Sequence, residues 1–129
     1  MRFSFWPGAG QAWEEILASS QHAERTGWDG VWFADHFMPF EGDIGLPIQE
    51  CWAILAGLAA AVPRVRLGSI VTGNTYRWPS VLAKQVATVD QISGGRVVLG
   101  LGAAWQESEH VAYGIELSLI HISEPTRRS

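Results

Sequence analysis

Apolar positions along the chain change their period several times, and each change marks a strand giving way to a helix. Phe3-Ser4-Phe5-Trp6 is a short aromatic run closed by Pro7-Gly8-Ala9-Gly10, as in a buried strand that ends in a loop. From Ala12 the spacing becomes helical. Trp13, Ile16, Leu17, Ser20 and Ala23 share one face, Glu14 and Glu15 sit in the first turn where the helix dipole favours them, and Gly27 offers a stop. Val31-Trp32-Phe33-Ala34 is a second strand, followed by a loop to Pro47 and an apolar helix over residues 48–62 that Pro63 ends. Residues 65–71 form a third strand. Pro79 opens the next helix, whose Leu82, Val86, Val89 and Ile92 make one stripe before Ser93-Gly94-Gly95 terminates it. Residues 97–101 are the fourth strand, and 107–113 begin its helix.

Strands alternating with helices at a repeat of about 30 residues imply parallel β-strands joined by right-handed crossovers. Two α/β architectures fit: a doubly wound open sheet, or the N-terminal half of a (β/α)8 TIM barrel made of four βα units. A barrel carries its chemistry on the loops after its strands, and polar residues gather there: Asp35-His36, Thr72-Gly73-Asn74-Thr75 and Gln106-Glu107-Ser108-Glu109-His110. Four such units are half of a barrel of typical length, about 250 residues.

Composition narrows the partners. The 129 residues are 47% apolar with a formal net charge of -4, as in an ordinary globular protein. Nine Lys and Arg against thirteen Asp and Glu leave no basic stripe, so nucleic acid is not an expected partner. The single Cys51 excludes an intramolecular disulfide and suits a reducing cytoplasm; its neighbours Trp52, Ile54 and Leu55 predict a buried, inert thiol. The N-terminus lacks the apolar stretch of a secretory signal, and the longest apolar run, 51–62, is too short for a bilayer, so no membrane association is expected. Seven Trp residues supply large apolar area, and burial in the core is the expectation for each, although indoles also line sites for flat conjugated ligands.

His36, directly after strand two, can polarise or deprotonate a substrate hydroxyl near neutral pH; a loop histidine satisfying backbone carbonyls is the plainer alternative. His22, His36, His110 and His121 show no H-x-x-x-H spacing, so no metal site is expected, and His22 beside Glu24 and Arg25 reads as a solvated face. Gly100-Leu101-Gly102-Ala103-Ala104-Trp105 begins like a G-x-G-x-x-G phosphate loop, but Trp105 stands at the third glycine position. The two glycines still permit close backbone approach by a ligand or a neighbouring strand. Neither a G-x-S-x-G elbow nor a G-x-x-x-x-G-K-[ST] loop occurs in the sequence.

Four stretches, in this order and spacing, carry a family resemblance. They are Gly27-Trp28-Asp29-Gly30-Val31-Trp32-Phe33-Ala34-Asp35-His36-Phe37; then Arg66-Leu67-Gly68-Ser69-Ile70-Val71-Thr72-Gly73-Asn74-Thr75-Tyr76-Arg77; then 79–96; and finally Leu99-Gly100-Leu101-Gly102-Ala103-Ala104-Trp105 with Glu109-His110 and Tyr113-Gly114. The sequence resembles the luciferase-like monooxygenase superfamily, and within it the branch of oxidoreductases using coenzyme F420. The resemblance implies a (β/α)8 barrel with a deazaflavin, or alternatively FMN, over the C-terminal ends of the strands, and a hydride transfer to or from a small organic substrate. It places His36 beside the hydride-transfer centre. It also implies a bulge in strand three with a non-prolyl cis peptide behind the ring, at Ser69-Ile70 or Ile70-Val71. Thr72, Asn74 and the turn from Gly102 to Trp105 then face cofactor or substrate, with Asn74 and Trp105 as ring and substrate contacts.

Two departures stand out. Many relatives read Ala-Gly-Trp where this chain has Ala103-Ala104-Trp105, which predicts a less close backbone approach there. After Glu116 the family pattern stops, and Leu117-Ser118-Leu119-Ile120-His121-Ile122-Ser123-Glu124-Pro125-Thr126-Arg127 resembles the translation of a transposase adapter used in preparing sequencing libraries. The expectation is therefore a partial barrel domain over 1–116 and a non-native tail over 117–129: an inactive fragment of a cytoplasmic enzyme whose parent pairs as a homodimer.

Overall fold

In the computed structural model, residues 1–117 are described; all of the adapter-like tail except Leu117 lies outside them. Alternation along β2 (Gly30–Phe33) decides where the core lies. Val31 and Phe33 are fully buried and belong to one apolar cluster with Ile16, Leu55, Leu58, Val62 and Leu67, so this face of the strand meets the helices. Trp32, half-buried, points the other way and lies across Gly68, where a Cβ would come within 2.0 Å of the indole.

The strands β1 (Ser4–Phe5), β2, β3 (Arg66–Ser69) and β5 (Val97–Val98) pair in parallel in that spatial order. Each strand lies next to its predecessor with no reversal of direction. Right-handed crossovers that always step the same way put the intervening helices on one face, as in a barrel wall, whereas a doubly wound sheet reverses at a switch point. Along that face α1 (Trp13–Arg25) packs on α2 (Cys51–Ala61), and α2 on α3 (Pro79–Ser93). α4 (Glu107–Tyr113) follows the last strand.

The predicted third and fourth strands are each split in two. β3 stops at Ser69 and resumes as β4 (Thr72–Gly73); β5 stops at Val98 and resumes as β6 (Leu101–Gly102), with β4 and β6 paired in a separate parallel ladder. The break lies at the peptide between Ile70 and Val71, which is cis, the second of the two expected registers. Two hydrogen bonds carry the chain across the break: the Ile70 amide donates to Phe33 O (2.8 Å) and the Thr72 amide to Gly100 O (2.7 Å).

Helix boundaries follow local chemistry. α2 begins at Cys51, three residues later than the apolar pattern predicts, because the Gln49 amide is tied to Ala9 O (2.9 Å) and the Glu50 carboxylate accepts from the Ala53 amide (2.6 Å) as the cap. α3 matches its prediction, with Pro79 at its start and Gly94 left-handed at its end. Its stripe is shorter than expected, since Leu82 and Val89 are buried but Ile92 is exposed.

The tryptophans are corrected more heavily. Trp52 alone is buried, while Trp6, Trp13, Trp28, Trp78 and Trp105 are exposed and Trp32 is intermediate. No helix among the described residues is long and apolar enough to cross a membrane.

Candidate functional site

Two carboxylates organise the ends of the strands. Asp35, one residue past the loop start after β2, is buried, and its Oδ2 accepts from the Gly73 amide (3.1 Å). Arg77, on the loop after β4, grips it with two nitrogens at 2.6 and 2.9 Å and reaches Glu50 at the start of α2 as well. Burial opposes the Arg77 charge, but the hydrogen bonds and charges of Asp35 and Glu50 outweigh it, and its pKa rises. One guanidinium thus ties the loops after β2 and β4 to a helix cap.

Glu109, on the first turn of α4, is the second organiser and is fully buried. Its Oε1 accepts from the backbone amides of Phe37 (2.6 Å) and Met38 (3.0 Å). Its Oε2 accepts from the Tyr76 hydroxyl and lies 3.1 Å from His36 Nδ1. Burial, followed by the hydrogen bond to Glu109, pushes the Tyr76 phenol up, so it remains a donor.

His36 stands between two cavities. One, of about 300 Å³, is mostly apolar and lined by Trp6, Ala9, Met38, Phe40 and Ile48 among others. The other, of about 260 Å³, is bounded by Asp35, Ile70, Val71, Tyr76, Gly102, Ala103, Ala104 and Trp105. The imidazole contacts the rings of Phe40 (5.4 Å between centroids) and Trp105 (5.8 Å, edge-on). A groove of about 830 Å³ lies elsewhere, between α2 and α3, away from these residues.

The structure therefore brings together His36, Ile70, Val71, Gly102 and Trp105 on one cavity. Ser69 and Thr72 lie behind it. Thr72 Oγ1 donates to Ser69 Oγ (2.8 Å) and accepts from Trp52 Nε1 (3.1 Å), while Ser69 Oγ accepts from the Gly100 amide (3.2 Å) and donates to Gly100 O (3.1 Å). These side chains brace the break in the strands. Asn74 is exposed outside both cavities, and its amide extends the β4–β6 ladder to Gly102 O (3.0 Å).

Glu109, Tyr76 and Arg77 stand in the stretches that carry the family resemblance, but no site role follows for them from the sequence. Glu109 lies in the polar run 106–110 after the fourth strand, but which of its acids turns inward depends on a helix phase that seven residues do not define. His110 is buried too, held by Gln106 O at Nδ1 and Thr75 Oγ1 at Nε2, both at 2.7 Å.

The cavity wall suits a flat, conjugated ring. Ile70 and Val71 are 47% and 46% exposed, Trp105 is 65% exposed, and the positions between β6 and Trp105 carry only methyl groups. A Cβ at Gly102 would come within 2.4 Å of Val71, and one at Gly100 within 2.5 Å of Ser69 O, so only glycine lets the two broken strands close behind that wall.

Known proteins resemble this chain in sequence and in fold. The chain is 33% identical over 105 residues to F420-dependent glucose-6-phosphate dehydrogenase of Amycolatopsis mediterranei, covering 79% of this chain and 31% of the relative. It resembles the solved structure of an F420-dependent secondary alcohol dehydrogenase in complex with an F420–acetone adduct, with a TM-score of 0.79, 26% identity and coverage of 93% and 37%. It also matches the fold of the FMN-bound oxygenating constituent of 3,6-diketocamphane monooxygenase from Pseudomonas putida, with a TM-score of 0.72, 19% identity and coverage of 88% and 32%. The chain spans about a third of the length of these proteins. The fold is four βα units of a (β/α)8 barrel, and its relatives are oxidoreductases and monooxygenases. The family described as luciferase-like monooxygenase matches residues 1–129, and the chain belongs to it.

Proposed function

We propose that these residues are the N-terminal part of an F420-dependent oxidoreductase that exchanges a hydride with a small organic substrate. The observation that carries this reading is the position of His36, shared by a cavity with a bare apolar wall and a cavity lined by aromatic and aliphatic side chains. The deazaflavin, when bound, supplies the two-electron hydride chemistry. Ile70, Val71, Gly102 and Trp105 would hold its ring, while Ser69 and Thr72 keep the wall in place from behind. His36 takes the proton from a substrate hydroxyl as the alcohol is oxidised, and returns it in the reverse direction. Asn74, exposed outside both cavities, is assigned to substrate or cofactor contacts beyond the ring.

FMN is the alternative cofactor, favoured by the FMN-bound structural neighbour. Fluorescence titration of the full-length enzyme with F420 and with FMN distinguishes them, and tighter FMN binding with oxygen-dependent turnover moves the protein to the monooxygenase reading. In the same enzyme His36→Ala lowers turnover by at least tenfold while cofactor affinity changes little, since positioned proton transfer typically contributes about 10²–10⁴-fold. Unchanged turnover rejects the role of His36.

A further inference from the structure

A carboxylate has about four acceptor positions, and one buried away from water needs them filled. Glu109 is fully buried and receives three unambiguous donors: the amides of Phe37 and Met38 and the hydroxyl of Tyr76. The remaining partner is His36 Nδ1 at 3.1 Å. A bare Nδ1 lone pair facing the same oxygen would repel it, so the proton sits on Nδ1 and is donated to the carboxylate. Nε2, which makes no hydrogen bond among the described residues, is then the lone-pair nitrogen on a ring that lines both cavities.

We propose that Glu109 is a positioning residue that fixes the tautomer and orientation of His36, leaving Nε2 as the atom that accepts the substrate proton. This rests on the role given to His36 above. Glu109 does two things with one group. Through Oε1 it holds the backbone that carries the imidazole, and through Oε2 it holds the ring itself, so neither can shift without the other. Tyr76 completes the carboxylate's set of donors and packs its ring, tilted by 40°, against Phe37 at 4.8 Å between centroids, linking the loop after β4 to the loop after β2. The same histidine without Glu109 would interconvert between tautomers, and a part of the population would present an N–H to the substrate oxygen instead of a lone pair.

The test is the proton position in the full-length enzyme labelled with ¹⁵N-histidine, read from the ring nitrogen shifts and long-range couplings at alkaline pH. Wild type should show the Nδ1–H form of His36. In Glu109→Gln the amide oxygen can keep the two backbone donors while its NH₂ group faces Nδ1, so the ring should change to the Nε2–H form. Turnover should fall by about tenfold or more, with the F420 dissociation constant within threefold of wild type, because a wrong tautomer removes the base without emptying the cofactor site. Tyr76→Phe, which removes a donor but leaves the carboxylate, should keep the Nδ1–H form. A wild-type ring protonated on Nε2, or a folded Gln variant with an unchanged tautomer, overturns the proposal. A tautomer that changes while turnover is intact overturns instead the catalytic role of His36.

Discussion

Ala104 holds a backbone conformation that alanine rarely adopts, with φ at +62°. Left-handed backbone costs an L-residue with a Cβ roughly 1–2 kcal/mol, and glycine escapes that cost. The Ala-Gly-Trp pattern of relatives thus has a conformational meaning at this turn, where the sequence suggested one of ligand approach. Ala104→Gly should stabilise the protein by about 1 kcal/mol, part of the gain being offset by the greater freedom of glycine in the unfolded chain. Chemical denaturation of the two proteins side by side measures this, and a destabilised Gly variant would contradict it. Single residues were unevenly legible in the sequence. His36 and Cys51 stand where their neighbours in the chain indicate, and burial, then the nearby carboxylates of Asp35 and Glu50, pushes the Cys51 thiol up, as an inert cysteine requires. The tryptophans were misread because area alone does not bury an indole. Trp52 has an acceptor for its N–H inside the core, Thr72 Oγ1, while Trp32 lies half-buried across Gly68 and the other five are exposed.

Elements were legible wherever one local signal dominated. The Pro79 start and Gly94 stop of α3 needed no tertiary information, and the left-handed glycine is where the sequence puts it. The start of α2 was not legible, because Glu50 is an uncommon cap and acts here while also pairing with Arg77. The break in strand three was implied by family resemblance, that in strand four was not, and no hydrophobic period marks either, since apolar residues flank both breaks. Arg77 joins these elements, and its side chain and that of Asp35 are 10% and 0% exposed. Removing one member of so buried a pair leaves the other charge unsolvated, which typically costs about 3–5 kcal/mol. Arg77→Met should destabilise by that order, and the double variant with Asp35→Asn should recover part of it. A loss below about 1 kcal/mol, the range of a surface pair, would show that water reaches Asp35 and that the clamp is weak.

At the scale of the whole molecule, the order of the strands was readable because each βα unit repeats the same sentence and right-handed crossovers leave few ways to arrange it. What the repeat does not encode is closure. Among the described residues β1 pairs only with β2, and β5 only with β3, so the four-stranded sheet has two edges whose amides and carbonyls are free to pair with another chain. Apolar side chains lie near both. Phe3 and Trp6 are exposed beside β1, and Leu99 and Leu101 are exposed just past β5 and in β6. In a closed barrel further strands cover such edges and the inner face. We therefore expect the 129-residue chain, expressed alone, to self-associate, to bind an apolar dye such as ANS, to unfold without a sharp transition and to hold F420 weakly, because barrels commonly anchor phosphate on loops after strands seven and eight. Light scattering coupled to size exclusion, dye binding and thermal unfolding, each compared with a chain that includes the remaining strands, read these properties directly. A monodisperse monomer that unfolds cooperatively and binds F420 as tightly as the longer chain would mean that four βα units seal their own edges and form a complete cofactor site.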